Sequence, residues 1–458
     1  MHSDIRVLAV EPHYTDEVCR TPLKFGAVTV ERLPFCRVKA TVENRRGEVA
    51  EGWGGIFLMD FWSWPTPDLP HEAKSAAMVE INQRCARLAA EAGGWWHPVD
   101  LFLHLEDGYR EANEAVCRER SLEPAQTFLG ALVCASPVDA AIHDAFGNAN
   151  GMDSYAGYGP ECMEHDLGHY LAPRYAGKHL ADFIRDAHLP EIPIFHLVGG
   201  LDKLTRGELD DSDPQDGLPN CLEDWVARDG VFCLKVKLRG TDLEWDVERT
   251  LAVHRIGRTE LAKLGIEALH LTADTNEQCE HPGYIVEYLH RLRERSQDAY
   301  DRILYIEQPT ERDLTASRHD MRPIAALKPV LVDESLTDQA SYELAMELGW
   351  SGIALKTCKC HSAALLLAAR ARADGIPYAV QDLTNPSLSL MHSVGFAARL
   401  YTIMGVEANS RQFFPASTTP GEQRVHEGLF RVRRGVASTA SLQGTGLGYR
   451  VRETGQSA

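Results

Sequence analysis

Charged residues end a series of short apolar runs at nearly constant intervals, and this spacing constrains the fold more than any other feature. The series runs through Lys237, Asp274, Glu307, Asp333 and Lys356, with steps of 37, 33, 26 and 23 residues. One strand and one helix of an eight-stranded α/β barrel together take roughly 30 residues. The spacing therefore predicts a charged residue at the carboxyl end of each successive strand, where such barrels keep their active sites.

Strands and helices alternate regularly from about residue 192 to about residue 410. The predicted strands lie near 192–198, 231–238, 268–274, 303–307, 330–333, 352–356, 377–382 and 405–409. The predicted helices lie near 221–229, 242–264, 282–297, 312–327, 338–348, 361–373 and 386–403. Eight strands alternating with helices favour an α/β fold with a closed (β/α)8 barrel, the TIM barrel.

The first third of the chain follows a different, α+β pattern. Its predicted elements are strands at 5–11 and 28–43, a loop at 22–26 between them, a hairpin turn at 45–47, a loop at 52–55 and a helix at 73–92. Ser136 and Pro137 are typical of a helix start, and that helix should end before Gly151.

These patterns divide the chain into three predicted parts. Residues 1–135 form an α+β capping domain over the barrel mouth, and residues 136–410 form the catalytic barrel. Residues 411–458 form a C-terminal segment that packs back on the capping domain. An irregular stretch, 152–191, lies at the start of the barrel region.

Composition excludes several classes of partner. The chain has 47 Lys+Arg against 66 Asp+Glu, a formal charge of −19, so we expect no nucleic acid and no anionic membrane as partner. We see no apolar run near the roughly 18 residues of a membrane span and no signal-peptide core, and we expect a cytoplasmic protein. The eleven scattered cysteines are expected to be reduced, and Cys358 and Cys360 lack the second pair of a zinc site.

Three carboxylates at successive strand ends suit a hard divalent cation. Asp274, Glu307 and Asp333 offer oxygen ligands only, which favours Mg²⁺. A register shifted by one residue would exchange Asp333 for Glu334. The alternative interpretation is that these acids pair with the barrel lysines as a layer of salt bridges.

The lysines suggest the reaction. Lys237 and Lys356 are predicted four strands apart, facing each other across the barrel mouth, so the α-carbon of a metal-bound carboxylate would lie between them. Removal of its proton gives an ene-diolate whose charge the metal stabilises, and Lys235 adds a cation there. A lysine pKa of about 10.4 must fall for the amine to act as a base, and we expect burial and neighbouring cations to lower it.

Short motifs at these positions resemble the enolase superfamily, in the mandelate racemase/muconate-lactonising enzyme family. The likeness is greatest to the muconate-lactonising branch, with its dipeptide-epimerase and succinylbenzoate-synthase relatives. The motifs are Lys235-Val-Lys237, Asp274-Thr-Asn276, Tyr305-Ile-Glu307-Gln-Pro, Val332-Asp333-Glu-Ser and Leu355-Lys356.

The resemblance implies a Mg²⁺-dependent isomerase or lyase that acts on a small carboxylate, and we also expect a homo-oligomer. It implies that Asp274, Glu307 and Asp333 bind the metal, that Lys237 and Lys356 are the acid/base pair, and that Lys235 is an electrostatic helper. Residues 24–26 resemble the capping-domain loop that reaches over the substrate. Candidate substrate-binding residues are Lys24, Asn276 and Asp382.

The chain departs from the family pattern in three places. Relatives often carry a Gly-Gly pair after the residue matching Lys356, whereas this chain reads Cys358-Lys-Cys-His361. The seventh strand ends without the histidine of the mandelate-racemase dyad, and the stretch 152–191 is longer than the usual connection. Glu407, near the eighth strand, fits a site role and a structural role equally.

Two other functions compete with proton abstraction. A metal-dependent hydrolase on the same barrel needs a His-x-His pair on the first strand, and only His196 is present there. The spacing of His165 and His169 also suits a metal, but surface histidines in a loop are the simpler interpretation. The third possibility is a barrel that binds or assembles without catalysis.

Overall fold

Eight parallel strands close into a barrel, as the sequence predicts. The computed structural model describes residues 1–25 and 28–455, and it leaves undescribed the side chains of residues 23–25 and 28–30. Each strand pairs with the next along the chain, and the eighth strand returns to pair with the first. The barrel strands are β4 (Glu191–Val198), β5 (Cys233–Lys237), β6 (His270–Asp274), β7 (Ile303–Glu307), β8 (Val330–Val332), β9 (Gly352–Lys356), β10 (Tyr378–Gln381) and β11 (Val406–Glu407).

Helices follow the barrel strands and cover their outer faces. They are α6 (Leu222–Asp229), α7 (Leu243–Lys263), α8 (Gly283–Arg295), α9 (Gln297–Arg302), α10 (Arg322–Ala325), α11 (Gln339–Glu347), α12 (His361–Asp374) and α13 (Ser387–Arg399). The interface between strands and helices is continuous and apolar, which is expected of a parallel sheet.

The helix predicted at 312–327 is wrong over most of its length, since only α10 forms there. Asp313 accepts hydrogen bonds from the backbone N–H groups of Thr315 and Ala316, which makes a turn instead of a helix. Pro323 cannot donate within a helix, and it lies in the first turn of α10.

The N-terminal part is an antiparallel sheet with helices on one side. Its strands are β1 (Ile5–Phe25), β2 (Val28–Asn44) and β3 (Val49–Phe57), and its helices are α1 (Asp60–Ser63), α2 (His71–Glu91), α3 (Pro98–Glu119) and α4 (Phe128–Asn150). The predicted turn at 45–47 is confirmed. The predicted loop at 22–26 is wrong for residues 22–25, because β1 continues to Phe25 and pairs there with Val28.

The glycines predicted to open a loop at 52–55 lie inside β3 instead. They allow the strand to approach α4 closely. A Cβ on Gly52 would stand 2.0 Å from the Ala145 backbone nitrogen, and one on Gly54 would stand 2.1 Å from the Pro137 carbonyl oxygen. Glycine is needed here for close contact between backbones.

We expect Gly52→Ala to lower the free energy of unfolding by about 1–3 kcal/mol, because the added methyl group meets rigid helix backbone. Urea denaturation followed by circular dichroism measures this. Gly200→Ala is the matched control, since a Cβ there meets nothing within 4 Å. Equal stability of the two variants would contradict the close-approach explanation.

Helix α4 begins at Phe128, so the helix start predicted at Ser136 and Pro137 is wrong. Pro137 lies inside the helix and cannot donate to the Val133 carbonyl. The Ser136 hydroxyl donates to that carbonyl instead, at 2.9 Å. By length and composition α4 could cross a membrane, but 94% of its apolar window is buried inside the protein, as in a core helix. As predicted, the helix ends before Gly151, which follows its last residue, Asn150, in a left-handed conformation.

The N-terminal sheet caps the carboxyl ends of the barrel strands. Trp62 donates from Nε1 to Glu334 Oε1 at 2.9 Å, and the Phe57 N–H donates to Asn385 Oδ1 at 2.7 Å. Arg20 reaches from β1 to Asp216, with Nε–Oδ2 2.5 Å, in the long loop after β4. The cap therefore lies over the mouth of the barrel.

Residues 152–190 have no long helix or strand, only short turns such as α5 (Leu167–Tyr170).

The C-terminal part contains α14 (Ser410–Phe413), α15 (Pro420–Val425), α16 (Glu427–Phe430), β12 (Val436–Ser438) and α17 (Val451–Thr454). It contacts both domains: β12 pairs with β4, and the Leu447 N–H donates to Asp144 in α4 at 2.7 Å. The bounds of the three predicted parts, 1–135, 136–410 and 411–458, remain predictions.

Candidate active site

The inner face of the barrel follows from strand alternation. Tyr305, Leu331 and Ala379, on β7, β8 and β10, form a small buried cluster apart from the main core. Side chains two positions further along a strand point to the same face. Glu307 and Asp333 therefore point into the barrel above this cluster.

Lys235 lies at the centre of the site and is almost fully buried. Its Nζ is 2.8 Å from Glu307 Oε1, 2.8 Å from Glu407 Oε2 and 3.0 Å from Asp274 Oδ2. Burial acts to lower the pKa of Lys235, but these three carboxylates outweigh it and hold the pKa well above its ordinary value. Lys235 is a fixed cation, and Glu407, whose role the sequence left open, is its partner.

Lys237 lies two positions further along β5, at the barrel mouth. Its Nζ donates to Asp274 Oδ2 at 2.5 Å and to Asn276 Oδ1 at 2.9 Å. Asn276 has φ +45°, a left-handed conformation, and its own N–H donates to Asp274 Oδ1. Asn276 thus lies where it orients Lys237.

Lys356 faces Lys237 from β9, on the opposite side of the ring of strands. Its Nζ is 2.6 Å from Asp333 Oδ2 and 4.6 Å from the centre of the Trp62 ring. Burial acts to lower the pKa of Lys356, but Asp333 and Glu307 outweigh it and raise the pKa. The expectation that burial and neighbouring cations lower this pKa is wrong for the protein alone, because its nearest charge is a carboxylate.

A fourth lysine, Lys359, was not predicted at the site. It is 3% exposed, and its Nζ donates to the Asp333 backbone carbonyl at 2.5 Å and to Asp333 Oδ1 at 3.1 Å. It comes from the short turn at Thr357–Lys359, directly after β9. The only sequence signal was a lysine within an otherwise apolar connection.

Trp62, from the cap, was also not predicted. Its ring lies against the Lys356 ammonium group, and its Nε1 donates a hydrogen bond to Glu334 Oε1. The side chain of Glu334 is therefore turned toward the cap, whereas that of Asp333 points into the barrel. Burial, then the nearby Asp333 carboxylate, raises the pKa of Glu334 to about 7.

Glu307 lies between the lysines of β5 and β9. Lys235 donates to its Oε1, and Gln381 Nε2 donates to its Oε2 at 2.5 Å. Burial raises the pKa of Glu307 to about 8, against the attraction of Lys235. By contrast, Lys356 and Lys359 outweigh the burial of Asp333 and lower its pKa to about 2.

Carboxyl groups outnumber lysines at the barrel mouth. Six buried acids face four buried lysines, which leaves two acids in excess, while Arg312 is paired with Glu277. The acids are Asp274, Glu307, Asp333, Glu334, Asp382 and Glu407, and the lysines are Lys235, Lys237, Lys356 and Lys359. Among the described atoms, Glu334 Oε2 has no hydrogen-bond partner. Carboxylate oxygens of this kind are the ligands that a divalent cation such as Mg²⁺ prefers.

The predicted metal ligands are held by lysines in this conformation. Within the described ranges, no three His, Cys, Asp or Glu side chains converge closely enough to enclose a metal. Asp274 contacts Lys235 and Lys237, and Asp333 contacts Lys356 and Lys359. The structure thus contains the salt-bridge layer that the sequence offered as an alternative, and a metal would have to share these oxygens.

The remaining candidates take different positions. Asp382 is buried, and its oxygens accept hydrogen bonds from the backbone N–H groups of Thr384 and Asn409, at 2.8 and 3.3 Å. The side chain of Lys24 and all of Gly26 lie outside the described residues. The substrate-binding roles of Lys24, Asn276 and Asp382 remain predictions.

No histidine or cysteine of the described residues forms a hydrogen bond or ion pair with the carboxylates of this cluster. His196 contacts Arg411 and Gln412, at 2.9 and 3.1 Å, so it does not supply the hydrolase pair. His165 and His169 stack on each other away from the barrel strands. All eleven cysteines fall in the described part of the chain, and no two form a disulfide.

Residues 218–455 match the family described as enolase C-terminal domain-like. No curated protein sequence matches the chain significantly.

Several solved structures share the whole architecture. The mandelate racemase/muconate lactonizing enzyme from Bordetella bronchiseptica RB50 has 18% identity and a TM-score of 0.61, over 97% of this chain and 96% of that chain. The dipeptide epimerase from Enterococcus faecalis V583, complexed with Mg and L-Leu-L-Tyr, has 16% identity and a TM-score of 0.59, over 97% and 99%. An enolase from Bradyrhizobium, complexed with magnesium and mandelic acid, has 17% identity and a TM-score of 0.59, over 98% and 96%. At these identities the likeness establishes a shared fold.

Proposed function

Since the chain belongs to the enolase C-terminal domain-like family, we propose that it removes the α-proton of a small carboxylate substrate with the help of Mg²⁺. The product of this step is an ene-diolate. Return of a proton gives racemisation or epimerisation, whereas loss of a leaving group or ring closure gives dehydration or cycloisomerisation.

One observation carries the proposal: two buried lysines oppose each other across a ring of carboxylates. Lys237 and Lys356 lie on β5 and β9, half a barrel apart, and the acids of β6, β7 and β8 lie between them. A planar ene-diolate between these lysines presents one face to each. This arrangement suits delivery or removal of a proton on either face.

Asp274, Glu307 and Asp333 are the residues that would hold the metal. A divalent cation supplies charge stabilisation for the carboxylate oxygens of the substrate. Lys235 adds a fixed positive charge beside Glu307. The Asp333 carboxylate favours the protonated form of Lys356. Lys356 can therefore act as a base only when another cation balances the charge of Asp333.

Other residues prepare the site. Asn276 orients Lys237, and Gln381 fixes the second oxygen of Glu307. Trp62 covers Lys356 and excludes water from it. In a dry site the charge interactions on which the reaction depends are stronger.

Incubation with Mg²⁺ and a set of α-protic carboxylates in D₂O tests the function. We expect solvent deuterium at an α-carbon, detected by mass spectrometry and ¹H NMR, and no exchange after treatment with a chelator. Hydrolysis products would favour the hydrolase alternative. An absence of exchange across the set would favour a binding role.

We expect Asp274→Asn, Glu307→Gln and Asp333→Asn each to weaken Mg²⁺ binding by more than about tenfold, because each removes an anionic oxygen ligand. Isothermal titration calorimetry measures this without turnover. Glu334→Gln is the matched control, since Glu334 is turned toward Trp62. If Glu334→Gln weakens binding and Asp333→Asn does not, the ligand on this strand is Glu334.

A further inference from the structure

A cavity of about 380 Å³ lies at the carboxyl end of β4, where Leu197 is paired with Lys235 of the neighbouring strand. It is enclosed by the carboxyl end of β4, the loop that follows it, the segment after β11 and residues 20–22 of the cap. Neither the catalytic lysines nor the predicted metal ligands line it. Its apolar lining consists mainly of Leu197, Val198, Leu201, Leu222, Trp225 and Phe413.

We infer that this cavity receives an apolar group of the substrate, so that the substrate is a carboxylate with a compact hydrophobic tail. The inference rests on the proposed function, because it takes the carboxylate to bind beside Asp274, Glu307 and Asp333.

The position of the cavity in the ring of strands gives the first argument. The predicted metal ligands lie on β6, β7 and β8, and the α-carbon would lie between β5 and β9. The cavity lies at the end of β4, diametrically across from β8, and at the segment after β11. In register, Leu197 on β4 pairs with Lys235 on β5. A substrate with its carboxylate at the metal ligands therefore directs its other end into this cavity.

The chemistry of the walls gives the second argument, because the arginine and the lysine that line the cavity are already paired with other groups. Arg20 donates to Asp216, Asn220 and two backbone carbonyls. Lys203 donates to Asp210 and Asp213, at 2.9 and 2.8 Å. A ligand that enters gains mainly apolar contact, since a polar tail would have to displace these pairs.

The size of the cavity gives the third argument. An apolar cavity of about 150 Å³ can hold benzene. The volume here accommodates a phenyl or branched aliphatic group with room for its linker. Each buried methylene adds about 0.8 kcal/mol to binding, so the length of an apolar tail should set affinity.

Equilibrium binding of simple carboxylates to the Mg²⁺-loaded protein tests the inference. Isothermal titration calorimetry compares acetate, 3-methylbutanoate and 3-phenylpropanoate with succinate and 4-aminobutanoate, whose tails are charged. We expect 3-phenylpropanoate to bind at least about tenfold more tightly than acetate. The two charged-tail acids should show no such gain.

The variant Leu201→Trp tests whether the preference for an apolar tail arises from this cavity. Leu201 lines it and is 53% exposed, so a larger side chain fills the opening without disturbing the core. We expect the variant to bind 3-phenylpropanoate no better than acetate. Leu8→Trp is the matched control, since Leu8 is 44% exposed on the cap away from the cavity, and it should keep wild-type affinity.

Three results would overturn the inference: tighter binding of succinate or 4-aminobutanoate, an unchanged preference in Leu201→Trp, or no binding of any probe. The deuterium-exchange experiment tests the proposed function independently of this preference for an apolar tail. If exchange fails but the tail preference and its loss in Leu201→Trp hold, the proposed function fails and the cavity stands as a binding site. If exchange succeeds without a tail preference, only the substrate class is wrong.

Discussion

Replacing Lys237 or Lys356 by alanine should lower turnover by about 10²–10⁴-fold, because each change removes a group that transfers a proton. The measurement is α-proton exchange in D₂O, or turnover of a substrate found by that exchange. Lys263→Ala is the control, since that side chain is 59% exposed on α7, and it should keep wild-type turnover. Near-wild-type rates in both active-site variants would contradict the assignment.

The two lysine variants also separate the possible reactions. In an epimerisation, Lys237→Ala should abolish exchange of one enantiomer and Lys356→Ala that of the other, because the lysines address opposite faces. In an elimination, one lysine starts the reaction, and the variants should be unequal on a single substrate. Both variants should remain folded and retain Mg²⁺ binding, which circular dichroism and calorimetry check.

Lys235→Met should lower the free energy of unfolding by about 3–5 kcal/mol, the usual cost of removing one partner from a buried ion pair. Lys235 is 2% exposed, and its loss leaves Asp274, Glu307 and Glu407 facing one another without their common cation. Urea denaturation in the presence of a chelator measures the effect on the protein alone.

The same substitution at an exposed ion pair provides the comparison. Lys263 pairs with Glu260 at 2.5 Å, but its side chain is largely in solvent, so Lys263→Met should change stability by no more than about 0.5 kcal/mol. A loss of stability in Lys235→Met below about 1 kcal/mol would mean that the carboxylates relax or take up protons easily. The central role of Lys235 in the cluster would then be wrong.

Lysine and metal share the same oxygens in this site, and this has a consequence for catalysis. Asp333 now binds two ammonium groups, and Asp274 binds two others. A divalent cation among these acids would favour the ionised forms of Glu307 and Glu334, whose pKa values are raised by burial. Lys237 and Lys356, the two lysines proposed for proton transfer, are among the four that a metal would draw away from Asp274 and Asp333, so metal loading and activation of the bases would be coupled.

Local patterns in the sequence were sufficient to predict the barrel. Each strand is a short apolar run, and each is followed by a polar or helical stretch, so periodicity alone located all eight strands. It also indicated which charged residues end them, since a strand of known phase has a known inner face. The prediction of a helix at 312–327 was wrong because it followed the apolar spacing alone. That spacing took no account of Asp313, which forms a turn, or of Pro323, which cannot donate within a helix.

Contacts between segments that are distant in the sequence decided the elements that local patterns misassigned. Gly52 and Gly54 belong to a strand because α4 packs against them, and Pro137 is tolerated inside that helix because Ser136 replaces the missing donor. These features depend on neighbours that are far away in the sequence, so local propensity misassigns them.

The sequence by itself determined the barrel, its order of strands and the charged residues at their ends, because hydrophobic periodicity and side-chain alternation are properties of consecutive residues. Only the tertiary structure decided that Trp62 covers Lys356, that Lys359 joins Asp333, and that a separate cavity with a partly apolar lining lies beside Leu197. Those are results of docking the cap and the long loops onto the barrel. The free energy of such docking comes from surfaces assembled from remote parts of the chain, and no short stretch of sequence contains them.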